Sequence, residues 1–371
     1  MLWDRLRETG LDNGLTGIGV CGVEPFGDVR ATLEEREANG MSGGLTFTYN
    51  DPERSTDITR SFPWARRLVV AAHGYLPEAG TPRPMSPGTG RIARFATEDH
   101  YRPLVRALDH VAAVLRAEGY RAEPVADDNR LVDRAAAVRA GVAWWGKSTM
   151  VLAPGAGPWM LLGSVVTDAE LAETPQMVRD CGTCDACLPA CPTGALVSPG
   201  VLDARRCLAH ILQAPGPIPL ELRQAVGDRV YGCDDCLDAC PPGIRLLETA
   251  TEDRGRIDLV GALALSDGEL LETYAHFYVP RRRAGYLRRN LLVALGNAGG
   301  GGREVEVAAG CLLDSDPIVR GHAAWALGRL GGHDARSHLE RALVGESDDT
   351  VRAEVGHALA AAGGSPDDGE A

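Results

Sequence analysis

No apolar run in this 371-residue chain comes near the roughly 20 residues that a membrane-spanning helix needs. The longest, "RLVVAAHGY" and "WMLLGSVV", have the length of strands, and the opening "MLWDRLRETG" has no signal-peptide pattern. The sequence therefore predicts a cytoplasmic protein with no membrane partner. An excess of positive charge is also missing. A formal net charge of −13 argues against general affinity for nucleic acid, although an average leaves room for a local basic patch. No G-x-G-x-x-G follows a predicted strand and no P-loop lysine is present, so a nicotinamide or ATP site has no support.

Cysteine is what the chain has in quantity. Ten would suggest disulfides in an extracellular protein, but eight fall between 181 and 240, in spacings denser than a disulfide framework requires. Cys181, Cys184, Cys187 and Cys191 form C-x2-C-x2-C-x3-C-P, the bacterial ferredoxin run whose fourth cysteine ligates the other cluster. A zinc site usually shows two separated CxxC pairs, so this run favours a cubane. The second run, Cys233-x2-Cys236-x3-Cys240-Pro241, is one cysteine short, and Cys207 is read as the missing ligand. If ligands cross over as in two-cluster ferredoxins, Cys181, Cys184, Cys187 and Cys240 hold one [4Fe-4S] cluster. Cys191, Cys207, Cys233 and Cys236 then hold the other, with none of the eight left over. Cys21 and Cys311 sit in apolar segments and read as buried, inert thiols.

Three domains are predicted. Residues 1–170 alternate short apolar runs with helical patterns and read as an α/β domain, interrupted by the Pro/Gly-rich loop "YLPEAGTPRPMSPGTG". Residues 171–250 read as a ferredoxin-like domain folded around two [4Fe-4S] clusters. Residues 270–364 contain "LRRNLLVALGNAG", "VRGHAAWALGRLG" and "VRAEVGHALAAAG", which superimpose at an offset of 32 with Arg288, Arg320 and Arg352 in register. That period, with a closing glycine, predicts an all-α, HEAT-like stack of helix pairs. The aligned arginines should project from one face, either as a solvated ladder or as a binding surface. One basic patch stands out: "PRRRAGYLRRN" holds five arginines and no acid. Residues 365–371 read as a disordered acidic tail, and a monomer is expected.

Clusters relay electrons, so the chemistry is sought in "ADDNRLVDRAAAVRAGVAWWGKSTM". From residue type alone, the preferred role for Asp127, Asp128 or Asn129 is to cap the helix predicted from about Leu131. The alternative is a carboxyl in a closed site, with a raised pKa, that delivers a proton during a reduction. Trp144-Trp145-Gly146-Lys147 is either core with a surface lysine or a platform for a flat cofactor.

Taken in order, "RAAAVRAGVAWWGKS", "CGTCDACLPACPTGAL", "GDRVYGCDDCLDACPP" and "DPIVRGHAAWALG" resemble the epoxyqueuosine reductase family, over a stretch from "NDPERSTD" to "AAWALG". The resemblance implies a cobalamin-dependent iron-sulfur enzyme with a cobalamin-binding first domain. Its reaction would be the last step of queuosine synthesis on tRNA, reduction of the epoxide of epoxyqueuosine to the alkene with loss of water. Electrons from an external donor would pass through the clusters to cobalamin. Asp127 matches the family's proton donor, Arg54 and the turn Trp145-Gly146-Lys147 match segments lining the cobalamin pocket, and Asp234 and Asp235 fall in the loop beside the cofactor. The family's repeat domain grips the tRNA anticodon arm. This implies phosphate contacts for Arg281, Arg282, Arg283, Arg288, Arg289 and Arg320. The chain departs from the family in writing "DDNR" for D-S-A-P, "GKS" for G-K-N, "CPPG" for C-P-W-N, and "LQA" for T-I-E after Cys207. Two rival readings use the same residues: a corrinoid iron-sulfur reductase of a small-molecule electrophile, and a non-catalytic electron-transfer or scaffold subunit.

Overall fold

The computed structural model describes residues 1–76, 86–248 and 255–362. The tail expected at 365–371 and the middle of the Pro/Gly-rich loop lie outside the described residues. Contacts divide the chain into two units, and neither is a continuous stretch. One takes Met1–Thr81, Glu98–Cys207 and Asp234–Glu252; the other takes Pro82–Thr97, Leu208–Cys233 and Asp253–Ala371. Among the described residues, no helix is long and apolar enough to cross a membrane.

The first unit is built on a sheet in the order β1-β2-β4-β3, where β1 is Gly17–Gly22, β2 Arg67–Gly74, β3 Ala122–Ala126 and β4 Met160–Thr167. All three ladders are antiparallel. Strand β2 reads as an unbroken apolar run because both of its faces are covered: Leu68 to Ala72 have no exposed surface. Helix α1 (Tyr101–Ala117) carries Leu104, Leu108, Val111 and Leu115 at helical spacing, and all four are buried. Gly163 on β4 lets this helix come close, since a Cβ there would meet Leu108 Cδ1 at 2.7 Å. Gly163 pairs with Ala126, the last residue of β3. Helix α2 (Asp133–Arg139) adds Ala135, Ala136 and Ala137 to the core that Leu68, Val70 and Val166 form on the sheet.

In the second unit the superimposable segments become helices α3 (Ala284–Ala298), α5 (Pro317–Leu330) and α7 (Asp349–Ala362), with α4 (Gly302–Gly310) and α6 (Gly332–Gly345) between them. Helix α3 packs on α5, and α5 on α7. The closing glycines have a steric reason: Gly299 and Gly331 end their helices at φ 72° and 69°, a region side chains avoid.

The aligned arginines are all tied back to backbone carbonyls, with Arg288 buried and Arg352 exposed. Arg288 donates to the carbonyls of Leu263 and Leu265, Arg320 to those of Asp314 and Ser315, and Arg352 to those of Leu343 and Glu346. Each takes up carbonyl groups left open where the preceding helical segment ends. A ladder of charge in the sequence is thus a set of helix-end ties.

The same helices hold the stretch Leu208–Cys233. From α3, Arg289 donates to the carbonyls of Ile211 and Ala214, and Asn290 donates to those of Leu212 and Val230. From α7, Glu354 forms a two-pronged ion pair with Arg223, at 2.6 and 2.8 Å. Arg223 is 1% exposed. Because removing one partner of a buried pair strands the other charge, Glu354→Ala should cost about 3–5 kcal/mol in denaturant unfolding of this unit.

From α5, His322 donates through Nδ1 to the Ile318 carbonyl at 2.7 Å and accepts the Ile218 N–H on Nε2 at 3.1 Å, which requires a neutral ring. Burial, then the charge of Arg223, holds its pKa well below the ordinary 6.5. With the folded pKa depressed, the unfolded chain binds the proton first. The His322 contribution is therefore complete above about 6.5 and is lost as pH falls below it. Melting temperature followed from neutral to mildly acidic pH should decline more steeply in wild type than in His322→Gln.

Candidate active site

Strand β3 hands over to Asp127, whose φ of 50° lies in the left-handed region. That conformation costs a non-glycine residue about 1–2 kcal/mol, and aspartate tolerates it better than most. The capping role does not hold. Helix α2 starts at Asp133 with Val132 as N-cap and no side-chain cap bond. Asp128 instead accepts from the N–H and the Nε of Arg130, both at 2.9 Å, and the Arg130 hydrogen bonds hold its carboxyl below the usual range. The Asn129 carbonyl accepts from Ser55 Oγ at 2.6 Å. With its neighbours tied down, Asp127 keeps a carboxyl that none of the hydrogen bonds among the described residues uses. Asp127 is exposed, yet partial desolvation of its carboxyl, then the charge of Asp128, raises its pKa.

Two residues of α2 extend the site. Asp133 has an Oδ1 sealed from solvent and without a hydrogen-bond partner. Burial, then the charge of Asp127, pushes its carboxyl well above the ordinary range, with Arg134 opposing. Arg134 keeps exposed surface, yet burial lowers its pKa. Its electrostatic neighbours are Tyr101, Asp133 and two of the predicted cluster ligands, Cys207 and Cys236. Arg54 is exposed beside the same turn, where its charge lowers the Asp128 pKa, and its Nε reaches Ser61 Oγ at 3.4 Å.

None of the ten cysteines forms a disulfide, and Cys21 and Cys311 are the buried ones. Burial raises the Cys21 thiol to about 12 and the Cys311 thiol to about 11, as inert core thiols require. Cys240 lies within electrostatic reach of Cys181, Cys184 and Cys187. At Cys191, burial pushes the pKa up, but hydrogen bonds from the Leu196 backbone, Thr193 and the Ala195 N–H (3.1 Å to Sγ) outweigh it, and the net shift is downward. Among the described residues no three His, Cys, Asp or Glu side chains close on a single point as a lone metal ion demands.

Trp144 and Trp145 pair with Leu152 and Val151 in a short hairpin, with Trp144 buried and Trp145 44% exposed. Gly146 is needed at its end, because a Cβ would lie 2.6 Å from Leu152 Cδ1. Lys147, expected in the cofactor pocket, is placed on the cysteine loop: its Nζ donates to the Gly182 carbonyl at 2.8 Å. Asp234 and Asp235 open the short helix Asp235–Asp238 that carries Cys236.

The arginines expected on tRNA separate into two groups. Arg288 and Arg289 are 8% and 1% exposed, with their guanidinium groups given to backbone carbonyls, and Arg320 is paired with Glu346 at 2.7 Å. These three hold the helix stack together, and the expectation of phosphate contacts is corrected for them. Arg281, Arg282 and Arg283 are exposed, the last paired with Asp316. Sequence reasoning missed Asp133 and Arg134, whose only signal was proximity to Asp127 at the start of a helix.

Comparison with known proteins gives the same arrangement along the chain. Residues 180–243 match the 4Fe-4S double cluster binding domain, and residues 281–360 match HEAT repeats. The chain is 33% identical to the epoxyqueuosine reductase of Pseudomonas aeruginosa, across 87% of this chain and 92% of that one. With the enzyme of Xanthomonas campestris it shares 32% identity, over 87% of this chain and 94% of that one. Among solved structures, an epoxyqueuosine reductase crystallised with an epoxyqueuosine-modified tRNA-Tyr stem loop superimposes at a TM-score of 0.89 and 29% identity, covering 98% of this chain and 99% of that one. The Bacillus subtilis reductase, with its catalytic aspartate loop swung out of the active site, superimposes at 0.87 and 29% identity, over 97% and 98% of the two chains.

Proposed function

The chain belongs to the epoxyqueuosine reductase family, and from that membership we propose that it reduces the epoxide of epoxyqueuosine in cytoplasmic tRNA to the alkene of queuosine, releasing water. The near-complete match to a relative crystallised with the modified stem loop carries this reading. Asp127 supports it chemically. An epoxide carbon is a poor electrophile until its oxygen is protonated. Arg130 is taken up by Asp128 and not by Asp127, and the Asp127 pKa is shifted upward, the direction that favours giving a proton to the epoxide oxygen. By analogy with the relative whose catalytic loop swings out, the turn 127–130 is this chain's catalytic loop, latched by Ser55 on Asn129.

Cys181, Cys184, Cys187 and Cys240 are assigned to one [4Fe-4S] cluster, and Cys191, Cys207, Cys233 and Cys236 to the other. The surroundings of Asp127, Asp133 and Arg134 are assigned to cobalamin, together with Arg54, Trp145, Gly146, Asp234 and Asp235. An orphaned carboxyl oxygen on Asp133 fits a large ligand that brings its own polar groups. When bound, these groups would supply single electrons from an external donor to the carbon skeleton of the substrate. Arg281, Arg282 and Arg283 are assigned to phosphates of the anticodon arm.

The test is nucleoside analysis of tRNA from a queuosine-making host that lacks this protein. Epoxyqueuosine should accumulate and disappear on complementation; a strain that accumulates none overturns the assignment.

A further inference from the structure

Among the 38 lysine and arginine residues of the chain, only Lys147 is a lysine. Where the protein uses arginine it uses the fork, as in the two contacts of Arg223 with Glu354 and those of Arg289 with two carbonyls. Lys147 works on one point. Its Nζ donates to the Gly182 carbonyl at 2.8 Å, and among the described residues its side chain has no further hydrogen bond and no carboxylate partner. Half-burying an ammonium without a counter-charge costs desolvation energy that a neighbouring anion would offset.

Gly182 lies between Cys181 and Cys184, which are assigned with Cys187 and Cys240 to one [4Fe-4S] cluster; this inference rests on that assignment. Four free thiols, within a stretch that matches a double cluster binding domain, fit such a group. A cubane on four thiolates is an anion, and the electron it accepts makes it more negative. We propose that Lys147 is the counter-charge of this cluster, holding the loop from Cys181 to Cys184 in place and raising the potential at which the cluster is reduced.

The surrounding backbone fixes where the ammonium sits. The Lys147 carbonyl accepts the Gly200 N–H at 2.9 Å, and the hairpin that carries Lys147 is closed by Gly146, which donates to the Met150 carbonyl at 2.8 Å. Across from it, Asp180 Oδ1 accepts the Gly182 N–H at 2.7 Å, and Gly182 adopts a φ of 52° that a side chain would strain. Gly182 is thus gripped on its N–H by a carboxylate and on its carbonyl by an ammonium. Asp180 is exposed, so water screens its charge more than that of the half-buried Lys147. Cys187 lies within electrostatic reach of the ammonium. A cation so placed favours the reduced cluster over the oxidised one, so its removal lowers the potential.

The test is a redox titration, followed by electron paramagnetic resonance, on holoprotein of matched iron content. Lys147→Gln should lower the potential of one cluster by about 59 mV, a tenfold change in its one-electron equilibrium, and leave the other unmoved. Lys147→Arg, whose charge is spread over a wider group, should recover part of the shift. In a Cys184→Ala background, which keeps only the other cluster, Lys147→Gln should change nothing. A single lysine also lets the charge be removed from folded wild type. Acetylation of the amines should lower the same potential, whereas reductive methylation, which keeps the charge, should not, and Lys147→Gln controls for the N-terminal amine. Potentials that stay in place in both Lys147→Gln and the acetylated protein overturn the proposal, and so does a shift that persists in the Cys184→Ala background. Should Lys147→Gln fail to take up iron, the acetylated protein decides alone. Failure of the cluster assignment looks different: wild type then holds far from about eight irons, or Cys184→Ala empties both sites. Failure of the epoxide chemistry leaves the stem loop unreduced while the potentials move as described.

Discussion

Asp127→Asn should slow single turnover of the modified stem loop about a thousandfold, since a positioned general acid is worth about 10²–10⁴ in rate. Iron content, cobalt content and stem-loop affinity should be unchanged. Asparagine has the same shape and also tolerates the left-handed φ of 50°, so the turn survives and only the transferable proton is lost. Partial desolvation, then Asp128, raises the pKa of this carboxyl in the folded protein. The folded state therefore holds the proton more tightly than the unfolded chain, and stability falls as pH rises from the ordinary value of 3.8 through the raised one. At neutral pH the asparagine variant should melt no lower than wild type. In wild type the rate should fall as pH rises through the raised pKa. Nucleoside mass spectrometry and thermal melts on one preparation check both statements, and a variant that turns over normally removes Asp127 from the mechanism.

The second large effect concerns which cysteines belong together. Cys240→Ala should remove the cluster whose other ligands lie some fifty residues earlier in the chain, because Cys240 sits among Cys181, Cys184 and Cys187. Each single variant should retain about four of about eight irons. The pairwise variants decide the wiring. Cys181→Ala with Cys240→Ala should lose no more iron than either alone, whereas Cys233→Ala with Cys240→Ala should lose both clusters. Independent sites add and shared sites do not. The opposite pattern, in which the first pair empties the protein and the second leaves one cluster, would mean that each run of cysteines closes on itself.

Much of this was legible in the sequence because some chemistry depends on spacing. Cysteines at x2 and x3 intervals and arginines at a period of 32 survive as patterns whatever surrounds them. What spacing does not report is a side chain's partner. Arg289 and Arg281 look alike in "PRRRAGYLRRN", yet the first is closed in against the carbonyls of Ile211 and Ala214 and the second is exposed. Asp127 looked like a helix cap because aspartate often is one. The helix begins at Asp133 instead, and the left-handed turn that separates the two could not be read from "ADDNR". Asp133 escaped notice for the same reason: an orphaned oxygen is a property of packing, not of residue type.

The hold on Leu208–Cys233 also sets a timetable for synthesis. All eight clustered cysteines are made by residue 240, but the carbonyls of Ile211, Leu212 and Ala214 wait for Arg289 and Asn290, and Arg223 waits for Glu354. At the usual pace of about 5–20 residues per second, the interval from Cys240 to Glu354 lasts roughly 6–23 seconds. During it a growing chain carries its full set of thiols while the stretch between Cys207 and Cys233 is still untied. The assigned cluster that takes Cys207 and Cys233 from the two ends of that stretch would therefore close only on the finished chain, whereas the one assigned to Cys181, Cys184, Cys187 and Cys240 has no such wait.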